Sequence, residues 1–292
     1  MGKPLDNPAS IALRTPMEAN PARPEPVVEF ARKKSPVHAS EAPEDIRPLS
    51  GQAAMGSDFA QPLFADRPMV SLPRDSGKPL LTSNGGYTKE ALEGYRSLRT
   101  RLVKSQANQG PRAVAVTGVG RSEGKTLTAF NLACCCAQVE NLSVLLIDSD
   151  LRSRSLTDLI GQLPAAGLSD VLNGHASCEE AIVRTDLPNL YVMGAGKKDG
   201  SPTELFSTES WSELIRWSRC HFKIVLVDTL SIGACADFEL IAPECDGILV
   251  VVRARNTSRL ALKKAVDQLD ANKLIGIVWN GSNSENGNQS YS

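Results

Sequence analysis

Beyond residue 112, short hydrophobic runs alternate with longer segments in which apolar residues recur at helical spacing. The short runs have the length and the aliphatic content of buried strands, and they cover residues 113–116, 142–148, 190–193, 222–228, 247–253 and 274–280. Helical patterns cover residues 127–139, 203–219 and 257–270. Strands that alternate with helices in this way predict an α/β fold with a mainly parallel, doubly wound sheet.

An amphipathic helix is predicted before the first of these strands, over residues 87–102, with Thr88 as its cap. Its apolar stripe consists of Leu92, Tyr95, Leu98 and Leu102. A second stripe is charged and consists of Glu93, Arg96 and Arg99. Charges at this spacing either form a solvated face, with ion pairs of about a few tenths of a kcal/mol, or bind a partner.

Proline content divides the chain into a tail and a domain. Thirteen of the 18 prolines lie between Pro4 and Pro79, where no hydrophobic period is sustained. Such a segment buries too little apolar surface to offset its ordering entropy, so residues 1–84 are predicted to be a disordered tail. Apolar stretches at 59–64 and 69–72 leave a docking role open, although an unbound linker is favoured. Residues 85–282 form the predicted domain, and residues 283–292 form a flexible C-terminal tail.

Composition and charge restrict the function only broadly. Hydrophobic residues make up 41% of the chain, charged residues 22%, and the net charge is −1, so nucleic acid is not an expected partner. No apolar run approaches the about 20 residues that span a bilayer, which predicts membrane contact only through a partner. The seven cysteines include no Cys-x-x-Cys pair and are interpreted as reduced thiols in a cytosol.

The strongest functional motif follows the predicted strand at 113–116. Glycines at 118, 120 and 124 precede Lys125 and Thr126, and a helical pattern follows. This order is typical of a P-loop, whose backbone N–H groups surround phosphates while the lysine reaches the β- and γ-phosphates and the hydroxyl binds Mg²⁺. The predicted nucleotide-binding residues are Gly120, Arg121, Ser122, Glu123, Gly124, Lys125, Thr126 and Leu127.

One position departs from the common P-loop pattern, because the first glycine of that pattern would fall at Val119. A glycine-rich turn without a ligand is therefore the alternative interpretation. The strand before the loop and the helix after it favour the nucleotide site.

Acidic residues stand at the ends of two predicted strands. Asp148 and Asp150 end the run at 142–148, and Asp228 ends the run at 222–228. Parallel strands deliver such residues to the ligand edge of the sheet. Asp228 fits the Walker-B acid, which holds the water shell of Mg²⁺.

With these motifs placed in order, the chain resembles the bacterial tyrosine kinases of capsule and exopolysaccharide assembly, a family within the MinD/ParA-like P-loop ATPases. The resemblance covers residues 85–282 and includes a Glu-x-x-Arg-x-x-Arg helix at 93–99. Residues 117–126 resemble the family's Walker A motif, and residues 147–152 resemble its second acidic motif, Walker A′. Residues 167–172, 201–205 and 252–258 are also similar to family segments.

The resemblance implies ATP and Mg²⁺ as cofactors. Lys125 and Thr126 would bind the phosphates and the metal, and Asp148 would help to hold the metal together with Asp228. One of Asp148 and Asp150 would accept the tyrosine proton, because phosphoryl transfer needs mainly positioning, a metal and a base.

Two further roles come from the resemblance alone. Arg152 would stabilise phosphate charge, and Asn280, at the end of the last strand, would lie where relatives read the adenine edge.

The resemblance also implies an assembly. Glu93, Arg96 and Arg99 would join copies of the chain into a ring, and a transmembrane polysaccharide co-polymerase or activator protein would recruit it. The protein is then expected to be cytoplasmic, peripheral to the inner membrane, and to regulate polysaccharide polymerisation or export.

Two departures keep alternatives open. Residues 229–231 follow the Walker-B aspartate where relatives usually have prolines, and Tyr291 is the single tyrosine of a C-terminus where relatives usually have a cluster. Tyr291 is the candidate phospho-acceptor or an ordinary terminal residue. The alternative to a kinase is an ATP-switched assembly module. A ParA/MinD-type partitioning ATPase is disfavoured because Gly120 replaces the extra lysine of that class.

Overall fold

The structure is a computed structural model that describes residues 64–74, 77–82, 87–107 and 113–281. Residues 1–63 of the predicted N-terminal tail lie outside the described residues, as does the predicted C-terminal tail at 283–292 with Tyr291. Within the described ranges, no helix combines the length and the apolar character needed to cross a membrane.

A single sheet organises the described residues. Its strands are β1 (Met69–Val70), β2 (Ala113–Gly118), β3 (Val144–Asp148), β4 (Ile182–Thr185), β5 (Leu190–Met193), β6 (Ile224–Asp228), β7 (Gly247–Arg253) and β8 (Leu274–Asn280). They lie in the order β1-β4-β5-β3-β6-β2-β7-β8, and every neighbouring pair is parallel except β4 and β5. The predicted mainly parallel sheet is confirmed.

Helices connect the strands and cover the sheet. They are α1 (Lys89–Ala107), α2 (Lys125–Ala137), α3 (Ser155–Ile160), α4 (Leu168–Leu172), α5 (Cys178–Ala181), α6 (Pro202–Phe206), α7 (Glu209–His221), α8 (Asp237–Ile241) and α9 (Arg259–Asp267). The pattern predicted as one helix over 203–219 is two helices, α6 and α7. Helices α3, α4, α5 and α8 are missing from the prediction, because a helical period cannot be recognised over so few residues.

The sheet has a hydrophobic cluster on each face. Alternate residues of β2 point to opposite faces, so that Val114 and Val116 join one cluster while Ala113 and Ala115 join the other. Helices α1 and α2 belong to the first face, and α7 and α8 belong to the second. Because both faces are covered, the central strands are apolar throughout rather than alternating.

Helix α1 packs on α2 through the predicted apolar stripe. Tyr95, Leu98 and Leu102 are buried. The predicted cap is also present, because the Thr88 hydroxyl accepts a hydrogen bond from the N–H of Ala91 at 3.2 Å. The stripe therefore explains why this helix adheres to the domain.

The described part of the predicted N-terminal tail packs against the domain. Phe64 is fully buried and its ring stacks on Phe222 at a centroid distance of 5.4 Å. β1 pairs with the edge strand β4, and the N–H of Leu81 donates to the Asn131 side chain at 2.9 Å. These residues form part of the domain, in contrast to the predicted tail, because aromatic and leucine side chains spaced along the segment find pockets on both faces.

Candidate functional site

The predicted site residues converge at the carboxyl edge of three neighbouring strands. In the sheet, β6 lies between β3 and β2, and all three are parallel. Asp148 and Asp228 are partners in the strand register. Gly118, the last residue of β2, begins the glycine-rich loop at the same edge, so the loop and both acids occupy one region of the surface.

The loop leads directly into α2. Gly124 is the N-cap, has φ of +93° and makes no side-chain cap. A side chain at this position would collide with the Asn280 amide, so glycine is required for both its φ and its space. In the part of the chain that the structure describes, the N–H groups of residues 121–126 have no hydrogen-bond acceptor. The loop and the helix N-terminus thus present free donors, as an anion site requires.

Lys125 lies across the loop. Its Nζ donates to the carbonyl of Gly120 at 2.8 Å and to the Ser231 hydroxyl at 2.9 Å. Burial lowers the pKa of Lys125, against the raising effect of Asp228. Ser231 is not among the predicted site residues, although the unusual segment 229–231 was the available signal.

The two strand-end acids are deeply buried. Both oxygens of Asp228 and the Oδ1 of Asp148 have no hydrogen-bond partner of standard geometry among the described residues. Burial, and next the charge of Asp148, raise the pKa of Asp228 well above its ordinary value, while Thr126 lowers it. Burial likewise raises the pKa of Asp148 to about 6, although hydrogen bonds from Thr157 lower it.

Unpaired buried carboxylate oxygens fit a cation. No group of three or more His, Cys, Asp or Glu residues in the described ranges forms a metal cage. Mg²⁺ does not need one, because it is usually held by one or two carboxylates, substrate phosphates and water. Asp228 and Asp148 with the Thr126 hydroxyl are the residues that would hold it.

Asp150 and Arg152 differ from the buried acids. Asp150 is only half-buried, and its Oδ1 accepts a hydrogen bond from the N–H of Ser153 at 2.8 Å. Arg152 binds the buried Asp237 through two hydrogen bonds and the Thr203 hydroxyl at 3.1 Å. The predicted role of Arg152 toward phosphate stays a prediction. Asp237 belongs to no recognisable motif, and the sequence offered no signal for it.

Two predicted nucleotide-binding side chains contact the loop itself. The Nδ2 of Asn280 donates to the carbonyl of Glu123 at 2.8 Å. The carboxylate of Glu123 is buried and accepts hydrogen bonds from the N–H groups of Val119 and Gly120. Their predicted roles at the nucleotide stay predictions.

The charged stripe on α1 lies apart from this edge. Arg96 and Glu93 form an exposed ion pair at 3.6 Å, whereas Arg99 donates to the carbonyl of Cys135 at 3.1 Å. The stripe therefore contains a surface pair and a contact between α1 and α2. Its predicted role in oligomers stays a prediction.

Comparison with known proteins adds an independent finding. No protein-family model matches the chain. Tyrosine-protein kinase CpsD of Streptococcus agalactiae is 31% identical over 201 residues, which cover 67% of this chain and 85% of that protein. The chain belongs to the bacterial tyrosine-kinase family. Tyrosine-protein kinase wzc of Salmonella typhimurium is also 31% identical over 202 residues, 68% of this chain, but the match covers 28% of that protein.

Solved structures of bacterial tyrosine kinases share the fold. The BceF tyrosine kinase domain is 26% identical with a TM-score of 0.59, covering 65% of this chain and 76% of that domain. The kinase domain of Escherichia coli tyrosine kinase ETK has a TM-score of 0.66 at 24% identity, covering 77% of this chain and 93% of that domain. The predicted fold and family are confirmed, and the P-loop fold of this kinase family implies nucleotide binding.

Proposed function

We propose that this chain is a Mg-ATP-dependent protein-tyrosine kinase. It phosphorylates other copies of the same chain and regulates the polymerisation or export of capsule or exopolysaccharide. The supporting observation is one of geometry. A loop with free N–H groups and Lys125 lies beside two buried carboxylates, Asp148 and Asp228, with unpaired oxygens. This arrangement offers donors for phosphates and oxygen ligands for a cation at one edge of the sheet.

In this proposal the loop binds the ATP phosphates. The backbone from Arg121 to Thr126 supplies N–H groups, and Lys125 exchanges its bond to Ser231 for phosphate oxygens. Bound Mg²⁺ supplies positive charge to the transferring phosphoryl group. Thr126, Asp148 and Asp228 would hold it, and the burial of the two aspartates would limit competition from water.

We assign the acceptance of the tyrosine proton to Asp150. A base must contact the substrate hydroxyl, and Asp148 is completely buried whereas Asp150 is partly exposed. Asp148 is then reserved for the metal.

The tyrosines of the chain restrict the acceptor. Of the four, Tyr95 and Tyr191 are buried. Tyr87 is half-buried and packs against the hydrophobic cluster below α1. Tyr291 is therefore the proposed acceptor, phosphorylated by another copy of the chain.

The proposed setting follows the family. A transmembrane polysaccharide co-polymerase or activator would recruit the kinase, so that it acts in the cytoplasm at the inner membrane. Rings of the chain would form through Glu93, Arg96 and Arg99. The near-neutral net charge of −1 supports a protein partner rather than nucleic acid.

Mass spectrometry of the full chain after incubation with Mg-ATP tests this function. We expect phosphate on Tyr291, its loss in Tyr291→Phe, and its retention in the control Tyr87→Phe. Lys125→Met should abolish phosphorylation while the domain stays folded, because the Ser231 hydroxyl still donates to the Gly120 carbonyl. Wild-type phosphotyrosine in Lys125→Met would contradict the P-loop assignment.

A second candidate is an ATP-switched assembly module of the export machinery with little kinase activity. The observation that favours it is the small number of available tyrosines, since two of four are buried. ATP binding without phosphotyrosine, accompanied by a nucleotide-dependent change in oligomer mass, would support this candidate over the kinase.

A further inference from the structure

The side chain of Glu123 is 2% exposed although it belongs to the glycine-rich loop. Its Oε2 accepts hydrogen bonds from the N–H of Val119 at 2.7 Å and from the N–H of Gly120 at 2.8 Å. Gly118 leaves room for this oxygen, because a Cβ there would lie 2.5 Å from it. The first turn of the loop is therefore wrapped around the carboxylate.

The other carboxylate oxygen contacts a remote segment. Glu123 Oε1 accepts a hydrogen bond from the Thr257 hydroxyl at 2.6 Å. Thr257 lies in the connection between β7 and α9, and its Oγ1 accepts a hydrogen bond from the N–H of Arg253 at 3.1 Å. A single buried carboxylate thus joins the glycine-rich loop to the β7–α9 connection.

Backbone carbonyls of the loop strengthen this junction. The carbonyl of Glu123 accepts the Asn280 amide at 2.8 Å, and the carbonyl of Ser122 accepts the Arg253 guanidinium at 3.3 Å. Ser122, which makes one of these contacts, has φ of +59°, which a residue with a side chain rarely adopts, and Gly124 with φ of +93° follows Glu123, which makes the other. The contacts hold a backbone that would otherwise relax.

We propose that Glu123 and Thr257 form a clamp that positions the phosphate loop, and that Glu123 is a positioning residue rather than a nucleotide ligand. In the clamp, the N–H groups of Val119 and Gly120 donate to the Glu123 carboxylate, and the N–H groups of residues 121–126 stay available to bind phosphates. It also turns a negative side chain away from the position of an anionic ligand. A loop held in its binding conformation loses less entropy when the ligand arrives. The clamp rests on the proposed function, because it presumes that the loop binds ATP.

Titration calorimetry of the full chain with Mg-ATP tests the clamp. Glu123→Ala is expected to raise the Kd for ATP about tenfold, and Thr257→Val about threefold, because each loses hydrogen bonds to a charged group. The double variant should bind about as weakly as Glu123→Ala alone, since both changes break the same contact. Thr257→Ser keeps the hydroxyl and should restore affinity to within about twofold of the wild type.

Two further variants separate positioning from folding. Ser258→Ala is the matched control, because the Ser258 hydroxyl caps α9 by accepting from the N–H of Ala261 and does not contact the loop. It should lower the melting temperature without nucleotide and leave the Kd for ATP unchanged. Glu123→Gln keeps the volume and one acceptor, and it should bind ATP with intermediate affinity even if Glu123→Ala fails to fold.

The outcomes distinguish the clamp from the function on which it rests. Additive losses in the double variant, or an unchanged Kd in Thr257→Val, would overturn the clamp. Equal rises in Kd for Ser258→Ala and Thr257→Val would also overturn it, because a general loosening of the β7–α9 connection would then suffice. Failure of the wild type itself to bind Mg-ATP would instead refute the proposed function.

Discussion

Arg152 and Asp237 form a bidentate ion pair, in which Arg152 Nε donates to Asp237 Oδ2 at 2.8 Å and Arg152 Nη2 donates to Asp237 Oδ1 at 3.0 Å. The Asp237 side chain is buried, and the Thr203 hydroxyl donates to its Oδ1 at 2.6 Å. The pair joins the segment after β3 to α8. Arg152, predicted to act on phosphate charge, is therefore held at a defined position beside the acidic edge.

Replacement of Asp237 by asparagine should destabilise the domain. Hydrogen bonds to charged groups contribute about 1.5–3 kcal/mol each, but Arg152 is partly exposed and screened by solvent, so we expect the free energy of unfolding at neutral pH to fall by about 1–2 kcal/mol. Urea denaturation measures it. Thr203→Val, which removes the neutral hydroxyl that contacts both Arg152 and Asp237, should have a smaller effect. Equal losses in the two variants would contradict the importance of the charge.

The contribution of Asp237 should also depend on pH. Burial raises the pKa of Asp237, but the hydrogen bonds from Arg152 and Thr203 outweigh it and leave this pKa below its ordinary value. The stabilisation is therefore complete above the ordinary pKa of about 3.9 and is lost as pH falls through the folded-state value. The difference in unfolding free energy between the wild type and Asp237→Asn should shrink as pH falls below the ordinary pKa of about 3.9. A constant difference would contradict this.

Asp228→Asn should stabilise the nucleotide-free protein while it abolishes metal-dependent phosphorylation. The folded state resists ionisation of Asp228, because burial and the charge of Asp148 raise its pKa. At pH values between the ordinary pKa and the raised pKa of Asp228, the native state binds more protons than the unfolded chain. The free energy of unfolding therefore falls as pH rises. The melting temperature of Asp228→Asn should thus exceed that of the wild type by more at about pH 8 than at about pH 4. If Asp228→Asn had a lower melting temperature than the wild type at every pH, this would mean that other groups of the folded protein stabilise the charge of Asp228.

Phe64→Ala should reveal how firmly the N-terminal segment is held. The Phe64 ring is fully buried, and its centroid lies 5.3 Å from that of the Tyr191 ring and 6.2 Å from that of the Trp217 ring. Truncation of such a side chain costs about 3–5 kcal/mol of unfolding free energy. Met69→Ala is the control, because Met69 is 65% exposed and should change stability by less than about 0.5 kcal/mol. Similar small effects of both variants would show that the segment contributes little.

Arg96→Ala should dissociate higher oligomers without destabilising the domain. The Arg96 side chain forms an ion pair with the exposed Glu93, and such pairs contribute less than about 1 kcal/mol. Arg99→Ala should in addition lower stability by about 1 kcal/mol, because it loses the Cys135 carbonyl. Lys89→Ala, exposed at the start of α1, is the control. An unchanged light-scattering mass of Arg96→Ala would show that the charged stripe is a solvent-exposed surface and does not join copies of the chain.

Much of the sheet is predictable because each central strand is a continuous aliphatic run. The runs at 190–193, 247–253 and 274–280 coincide with β5, β7 and β8. β4 escapes recognition because Arg184 and Thr185 interrupt the run and because its pairing with β1 depends on tertiary contacts. The aromatic side chains that surround Phe64 likewise come together only through tertiary contacts, so the local sequence does not predict where Phe64 packs.

The candidate site divides in the same way. Strand ends and loop glycines follow from chain order, so that Asp148 and Asp228 could be placed together before the structure. The direction of a side chain does not follow from chain order. The place of Glu123 in the loop predicts a contact with the nucleotide, whereas its Oε1 contacts Thr257, in a segment 134 residues further along.

The shortest strand has a consequence for how copies of this protein meet. β1 contributes only two residues, Met69 and Val70, yet it covers the outer edge of β4. A bare strand edge templates the addition of strands from other molecules. Removal of β1 would therefore expose this edge, and a protein without β1 should polymerise by edge-to-edge extension of the sheet.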